Sequence, residues 1–245
     1  TEIDMSRVEF HDEQETMQFR LPEELEVGEF FMLTFTFSAP LGQDMNGLYV
    51  STYNYTDPVS GQTTAINMVS TKFEAVFARH AFPCFDEPAF KAQFTLQVTN
   101  VPEGFAALGN MPVDTTATAA LNDARRREEA AAGGPVRAWN STVRFLPSVP
   151  MSTYLVAMVV GKLDFVEGSI PRAAGVRSPL LAGRTDVEQD VVTVRVWARP
   201  DMATQLDYAL DSAIKALVHF EELFAIPFPL PKQDLVGVPD FAAGA

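Results

Sequence analysis

The stretch Glu29–Pro40, EFFMLTFTFSAP, sets Phe31, Leu33, Phe35 and Phe37 on one side of an extended chain and Met32, Thr34, Thr36 and Ser38 on the other. Alternation with a period of two is the pattern of a half-buried strand, so this stretch predicts one. Working outward, β-rich runs follow at 48–56 (LYVSTYNYT), 66–74 (INMVSTKFE), 92–101 (AQFTLQVTNV), 142–148 (TVRFLPS), 153–160 (TYLVAMVV) and 191–198 (VVTVRVWA). Turn signals at Asn46-Gly47, Ser60-Gly61 and Pro102-Glu103-Gly104 separate them. Several strands with no helical pattern between them predict a sandwich.

Two segments interrupt the series. Residues 115–138, TTATAALNDARRREEAAAGGPVRA, hold eight alanines and a charged cluster but no large aromatic to anchor them, and read as a mobile loop insertion with a short helical turn. Residues 168–187 are rich in Gly, Pro and Arg and read as a second excursion. After Pro200 the period becomes helical: Met202, Leu206, Ala209, Leu210, Ala213, Ile214, Leu217, Phe220 and Phe224 recur every three or four residues. Asp201 is placed to cap that helix and the run IPFPLP to end it.

With 47% hydrophobic and 20% charged residues, the 245-residue chain has globular usage and can bury a substantial core. Its net charge of −14 repels phosphate backbones and anionic membranes, which argues against a nucleic-acid partner; Arg125–Arg127 is its one basic run. The longest nearly apolar stretch, Tyr154–Gly161, falls far short of the roughly 20 residues of a membrane span. The single cysteine, Cys84, forms no internal disulfide, and the polar, acidic start at Thr1 shows no signal peptide; together they suggest a cytoplasmic setting.

Residue chemistry alone yields little. The three histidines, His11, His80 and His219, form no His-Glu-x-x-His pair. Cys84 lacks a nucleophile signature, and neither a phosphate-binding glycine loop nor a serine elbow is present.

The stretch FEAVFARHAFPCFDEPAFKAQFTLQV at 73–98 carries more. It resembles a signature segment of the zinc aminopeptidase family that includes aminopeptidase N, puromycin-sensitive aminopeptidase and the endoplasmic-reticulum aminopeptidases. Further matching blocks follow in the family's order: GNMPV at 109–113, PMSTYLVAMVVGKLDFVE at 150–167, and YALDSAIKALVHFEELFAIPFPLPKQDLVGVPDFAAGA at 208–245. The resemblance implies a mainly β fold: a saddle-like N-terminal β-sandwich domain over residues 1–165, then the opening strands and helix of a thermolysin-like α+β catalytic domain over residues 166–245. It also implies that the family's first strands precede Thr1 and that its zinc motif follows Ala245. No catalytic residue and no metal ligand is therefore expected here, and the piece alone is expected to be inactive.

An aminopeptidase must hydrolyse an amide and measure one residue from a free amine. Zinc serves the first task in this family by activating water. The second needs carboxylates facing the substrate's ammonium. One of them lies in a Thr-Gln-x-Glu pattern, which here reads Thr71-Lys72-Phe73-Glu74. Glu74 matches; Lys72 puts a cation where the family has a neutral amide, beside the pocket for the first residue's side chain. Gly244 and Ala245 match the start of the Gly-Ala-Met-Glu-Asn edge along which a peptide substrate lies, where small side chains leave the backbone open to β-augmentation. Arg79, Asp86, Glu87 and Pro88 read as architectural. Two functions stay open: a part of a zinc aminopeptidase acting on peptides, or a catalytically silent β-sandwich binding module that kept the fold and lost the chemistry.

Overall fold

The computed structural model describes residues 8–21, 23–24, 26–131, 141–172 and 178–241. They fall into two compact units, 1–40 and 41–245. In the first, β1 (Val8–His11) and β2 (Thr16–Phe19) form an antiparallel hairpin. Glu15 closes its turn at φ 51°. The alternating stretch 29–40 is not a strand: it runs without a ladder, and Phe30, Phe31, Met32, Phe35 and Phe37 are exposed. Alternation decides which face a strand would bury, but it supplies no neighbour, and no described strand pairs with this stretch. Phe35 meets Phe19 edge-on at 5.9 Å.

The second unit is built on the hairpin of β3 (Gly47–Thr56) and β4 (Thr63–Lys72), whose register pairs Gly47 with Lys72 and Tyr49 with Ser70. Its turn is set by Asp57, whose carboxylate accepts from the amides of Val59 and Ser60 at 3.0 and 2.7 Å, while Gly61 takes a φ of +69°. Next come β5 (Gln97–Val101), β6 (Ala106–Gly109), α1 (Thr115–Ala131), β7 (Ser141–Arg144) and β8 (Met158–Gly161). One sheet runs β3-β4-β8-β6, and β5 pairs with β7.

Of the segment 115–138 read as a mobile loop, residues 115–131 form the 17-residue helix α1, and 132–138 lie outside the described residues. Alanine gives it helix propensity without a core. Asp114 caps it by accepting from the Ala117 amide at 2.8 Å. Polar side chains do the rest: Asn122 exchanges two hydrogen bonds of 2.8 Å with the backbone of Thr142, and Thr118 accepts from the Arg144 amide at 3.0 Å.

The remaining elements are β9 (Asp164–Pro171), β10 (Val191–Ala198), α2 (Asp207–Phe224) and β11 (Lys232–Val236). They form a three-stranded sheet, antiparallel between β9 and β10 and parallel between β10 and β11. Of the second excursion, 168–171 belong to β9 and 178–187 lie in the connection from β9 to β10, while 173–177 lie outside the described residues. Helix α2 lays Leu210, Ala213, Ile214 and Leu217 against Ile170, Val192 and Val194, as the periodicity requires. Asp201 does not cap it. A 3₁₀ turn at Pro200–Gln205 precedes the helix, and Asp201 there pairs with Arg199 at 2.7 Å. At the other end Ala225 takes a left-handed φ of 52° before the proline run.

Met68, Leu108, Leu163 and Trp197 join the two sheets in one core cluster. Gly161 is required there. A Cβ on it would lie 2.7 Å from Met68 Cγ and 3.3 Å from Met68 Cβ, and Met68 is wholly buried. Gly161→Ala is expected to destabilise the protein by about 1–3 kcal/mol, read as a lower midpoint in chemical denaturation.

Candidate functional site

The strand β4 stops at Lys72. Phe73 turns inward and is buried, meeting Phe82 edge-on at 5.9 Å, and Glu74 begins the exposed turn that follows. The Glu74–Ala75 peptide is cis. Among the described residues, no hydrogen bond or ion pair engages the Glu74 carboxylate. Lys72 forms no ion pair with it. Its ammonium donates to the Glu74 backbone carbonyl at 3.3 Å and lies 5.7 Å from the centre of the Phe77 ring. Residues two apart share a face only while the strand continues, and Glu74 lies beyond its end.

A buried polar network supports this turn. Asp86 Oδ2 accepts from the Arg79 amide at 3.1 Å and from Arg79 Nε at 3.0 Å, while Oδ1 accepts from the Thr153 hydroxyl at 2.6 Å. Arg79 Nη2 donates to the Asp86 carbonyl at 3.1 Å, and Ser152 donates to the Pro88 carbonyl at 2.7 Å. Burial by itself raises the Asp86 pKa, but the hydrogen bonds from Thr153 and Arg79 together outweigh it and hold the carboxyl below its ordinary value. The architectural reading of Arg79, Asp86 and Pro88 fits these contacts. Nearby, burial and then Asp86 push the Cys84 thiol up to about 11, which keeps it protonated and unreactive at neutral pH.

Two polar residues that the sequence did not single out tie the last strand to the first sheet. Lys232, at the start of β11, is 8% exposed. Its ammonium donates to the Gly109 carbonyl at 2.6 Å and to the Asp234 carboxylate, which also accepts from the Trp197 indole at 2.8 Å. Burial lowers the Lys232 pKa, opposed by Asp234. A cavity of about 180 Å³ opens beside it, walled by Asn110, Met158 and Leu230; Glu74 and Lys72 are not among its walls. The second residue is Tyr49, whose hydroxyl donates to the Asp240 carbonyl at 2.8 Å. A lysine between a proline and an apolar run, PLPKQDLV, and a tyrosine on the buried face of β3 were the signals available. Neither names a partner.

His11, His80 and His219 do not gather with acidic residues into any group of three that would hold a metal among the described residues, so those residues do not fit a zinc site. Gly244 and Ala245 lie outside the described residues. No helix among the described residues is long and apolar enough to cross a membrane.

The four motif blocks are therefore joined in series: 73–98 to 150–167 through Asp86 and Thr153, 150–167 to 109–113 through Leu155 and Asn110, and 109–113 to 208–245 through Gly109 and Lys232. A family model for the Peptidase M1 N-terminal domain matches residues 1–155. The chain belongs to the M1 peptidase family. This M1 chain is 38% identical over 240 residues to aminopeptidase M1-C of Oryza sativa subsp. japonica, covering 98% of the chain and 22% of that protein. It is 35% identical over 238 residues to endoplasmic reticulum aminopeptidase 1 of Homo sapiens, with 96% and 21% covered. With aminopeptidase M1 of Arabidopsis thaliana the identity is 37% over 226 residues, covering 90% and 21%. The M1 chain thus spans between a fifth and a quarter of the length of these relatives. Its mainly β architecture accords with this family.

Proposed function

We propose that this chain is the amine-reading part of an M1 aminopeptidase that removes N-terminal residues from peptides. In this reading residues 1–165 are the N-terminal β-domain and residues 166–245 open the catalytic domain. Zinc supplies the amide-hydrolysing chemistry in such an enzyme, and the described residues of this chain do not fit that metal. What they can do is hold the substrate. The observation that carries the reading is Glu74: an exposed carboxylate just past the end of the strand β4, with no described side chain hydrogen-bonded or ion-paired to it. A peptide's α-amine, whose pKa is near 8, is largely cationic at neutral pH and is the complementary group. Gly244 and Ala245 are assigned to the substrate's backbone, and Lys72 to the neighbourhood of the first side chain.

The test uses the full-length protein that contains this chain, with an aminoacyl-aminomethylcoumarin bearing a free amine and its N-acetylated twin. Hydrolysis of the first and not of the second is expected. Equal hydrolysis of both contradicts the proposal; no hydrolysis of either favours a silent binding module.

A further inference from the structure

The cavity beside Lys232 lies between the end of the β6–β8 pair and the face of β11 that carries Lys232, Asp234 and Val236. Leu108, Val159, Leu230 and Val236 give it an apolar lining, and Ala157 stands exposed among its walls. Its polar side chains are largely spent. Asn110 donates to the Leu155 carbonyl and accepts from the Ala157 amide, both at 2.8 Å. Each carboxylate oxygen of Asp234 accepts one bond, from the Trp197 indole and from Lys232. Lys232 itself is different. An ammonium has three N–H groups; two go to Gly109 and Asp234, and no described residue accepts the third. A buried charged donor left without an acceptor is costly, so the site calls for a ligand with an acceptor at that point.

We infer that this cavity binds a large aliphatic residue of a peptide, leucine or a close analogue, whose backbone carbonyl accepts from Lys232. Glu74 and Lys72 are not among its walls, so this is a second contact with a peptide, separate from the reading of its amine. The inference rests on the proposed function only in taking peptides as the ligands. Size, charge and access select this ligand. A cavity of about 150 Å³ lined by aliphatic side chains takes up benzene, and the one here, at about 180 Å³, suits an isobutyl side chain with its carbonyl. Lys232 and Asp234 already balance each other, so an uncharged acceptor fits. A carboxylate would meet Asp234 and the chain's net charge of −14. The exposed Ala157 leaves the cavity open on one side, which lets the peptide continue into solvent beyond the bound residue.

The experiment uses the full-length protein that contains this chain and the peptide Ac-Gly-Leu-Gly-amide, whose acetyl group removes the cationic amine. A photo-leucine version maps the contact by cross-linking and mass spectrometry, and a fluorescein-labelled version gives Kd by anisotropy. Cross-links are expected at 108–110, 157–159 and 230–236. The leucine peptide should bind at least about tenfold more tightly than Ac-Gly-Gly-Gly-amide, the factor for burying its side chain. Ala157→Leu fills the cavity from its exposed side and leaves Lys232 paired; it should weaken binding about tenfold with Tm unchanged. Lys232→Met should weaken binding by a similar factor, and where that variant fails to fold, Ala157→Leu decides. Glu74→Ala should bind as the parent does. Cross-links elsewhere or none, equal binding of the two peptides, or parental affinity in Ala157→Leu or in folded Lys232→Met overturns the inference. So does a loss of binding in Glu74→Ala, which puts the peptide in the amine-reading site. A protein that takes the peptide at these residues yet hydrolyses no free-amine substrate removes the proposed function and leaves this inference standing.

Discussion

An enzyme carrying Glu74→Ala is expected to process a free-amine substrate about 10- to 150-fold less efficiently than its parent, the equivalent of roughly 1.5–3 kcal/mol for a charge-assisted contact. Its melting temperature and metal content should not move. Both halves follow from the proposed reading: the carboxylate is exposed and no described side chain is bonded to it, so on that reading its loss reaches only the substrate. Glu74→Gln separates charge from shape and should keep most of the loss if the amine is read as a cation. Lys72→Gln is expected to be mild by comparison, since the lysine ammonium is turned to the Glu74 main chain and the Phe77 ring rather than to the carboxylate. A Glu74→Ala enzyme that lost activity together with several degrees of Tm would make Glu74 part of the framework instead.

Asp86→Asn should have the opposite profile, a loss of stability first and of activity only as a consequence. The Asp86 side chain is 3% exposed and joins the turn at Arg79 to Thr153, 67 residues further along the chain. Asn at 86 takes the charge out of a buried ion pair and weakens the hydrogen bonds that join Arg79 and Thr153, and the expected destabilisation is about 3 kcal/mol. The pH dependence has a definite sign. The folded pKa lies below the ordinary value that the unfolded chain restores, so the ionised group contributes its full stabilisation above the unfolded pKa of about 4. That contribution fades as the pH falls through the lower folded pKa. The Tm gap between parent and Asp86→Asn should therefore be widest near neutrality and narrow in acid. A gap that stays constant down to pH 3 would contradict the assigned role.

The hairpin β3–β4, the strand β10 and the helix α2 were legible because their apolar residues keep a strict local period. Tyr49, Ser51 and Tyr53 point one way along β3, and Leu210, Ala213, Ile214 and Leu217 form one helical stripe. The same rule misled at 29–40, where alternation is present but no described strand pairs with it. It also undervalued α1, a helix held by caps and side-chain bonds such as Asn122 to Thr142 rather than by an apolar face. Contacts between remote segments leave no local period at all. The parallel pairing of β10 with β11, the reach of Lys232 to Gly109 across 123 residues and that of Tyr49 to Asp240 across 191 come from packing alone. Glu74 is a mixed case. The resemblance of Thr71-Lys72-Phe73-Glu74 to a family pattern picked out the residue, whereas the strand's end at Lys72 and the lysine's bond to the Glu74 carbonyl are visible only in the structure.

The central claim is that Glu74 reads the substrate's positive charge. Its most direct test is the ratio of kcat/KM for an aminoacyl substrate to that for its des-amino analogue, measured in the parent enzyme and in Glu74→Gln. The account predicts a large ratio in the parent that collapses at least tenfold in the variant, because a neutral amide no longer distinguishes an ammonium from a hydrogen. A ratio that survives Glu74→Gln undiminished would contradict it.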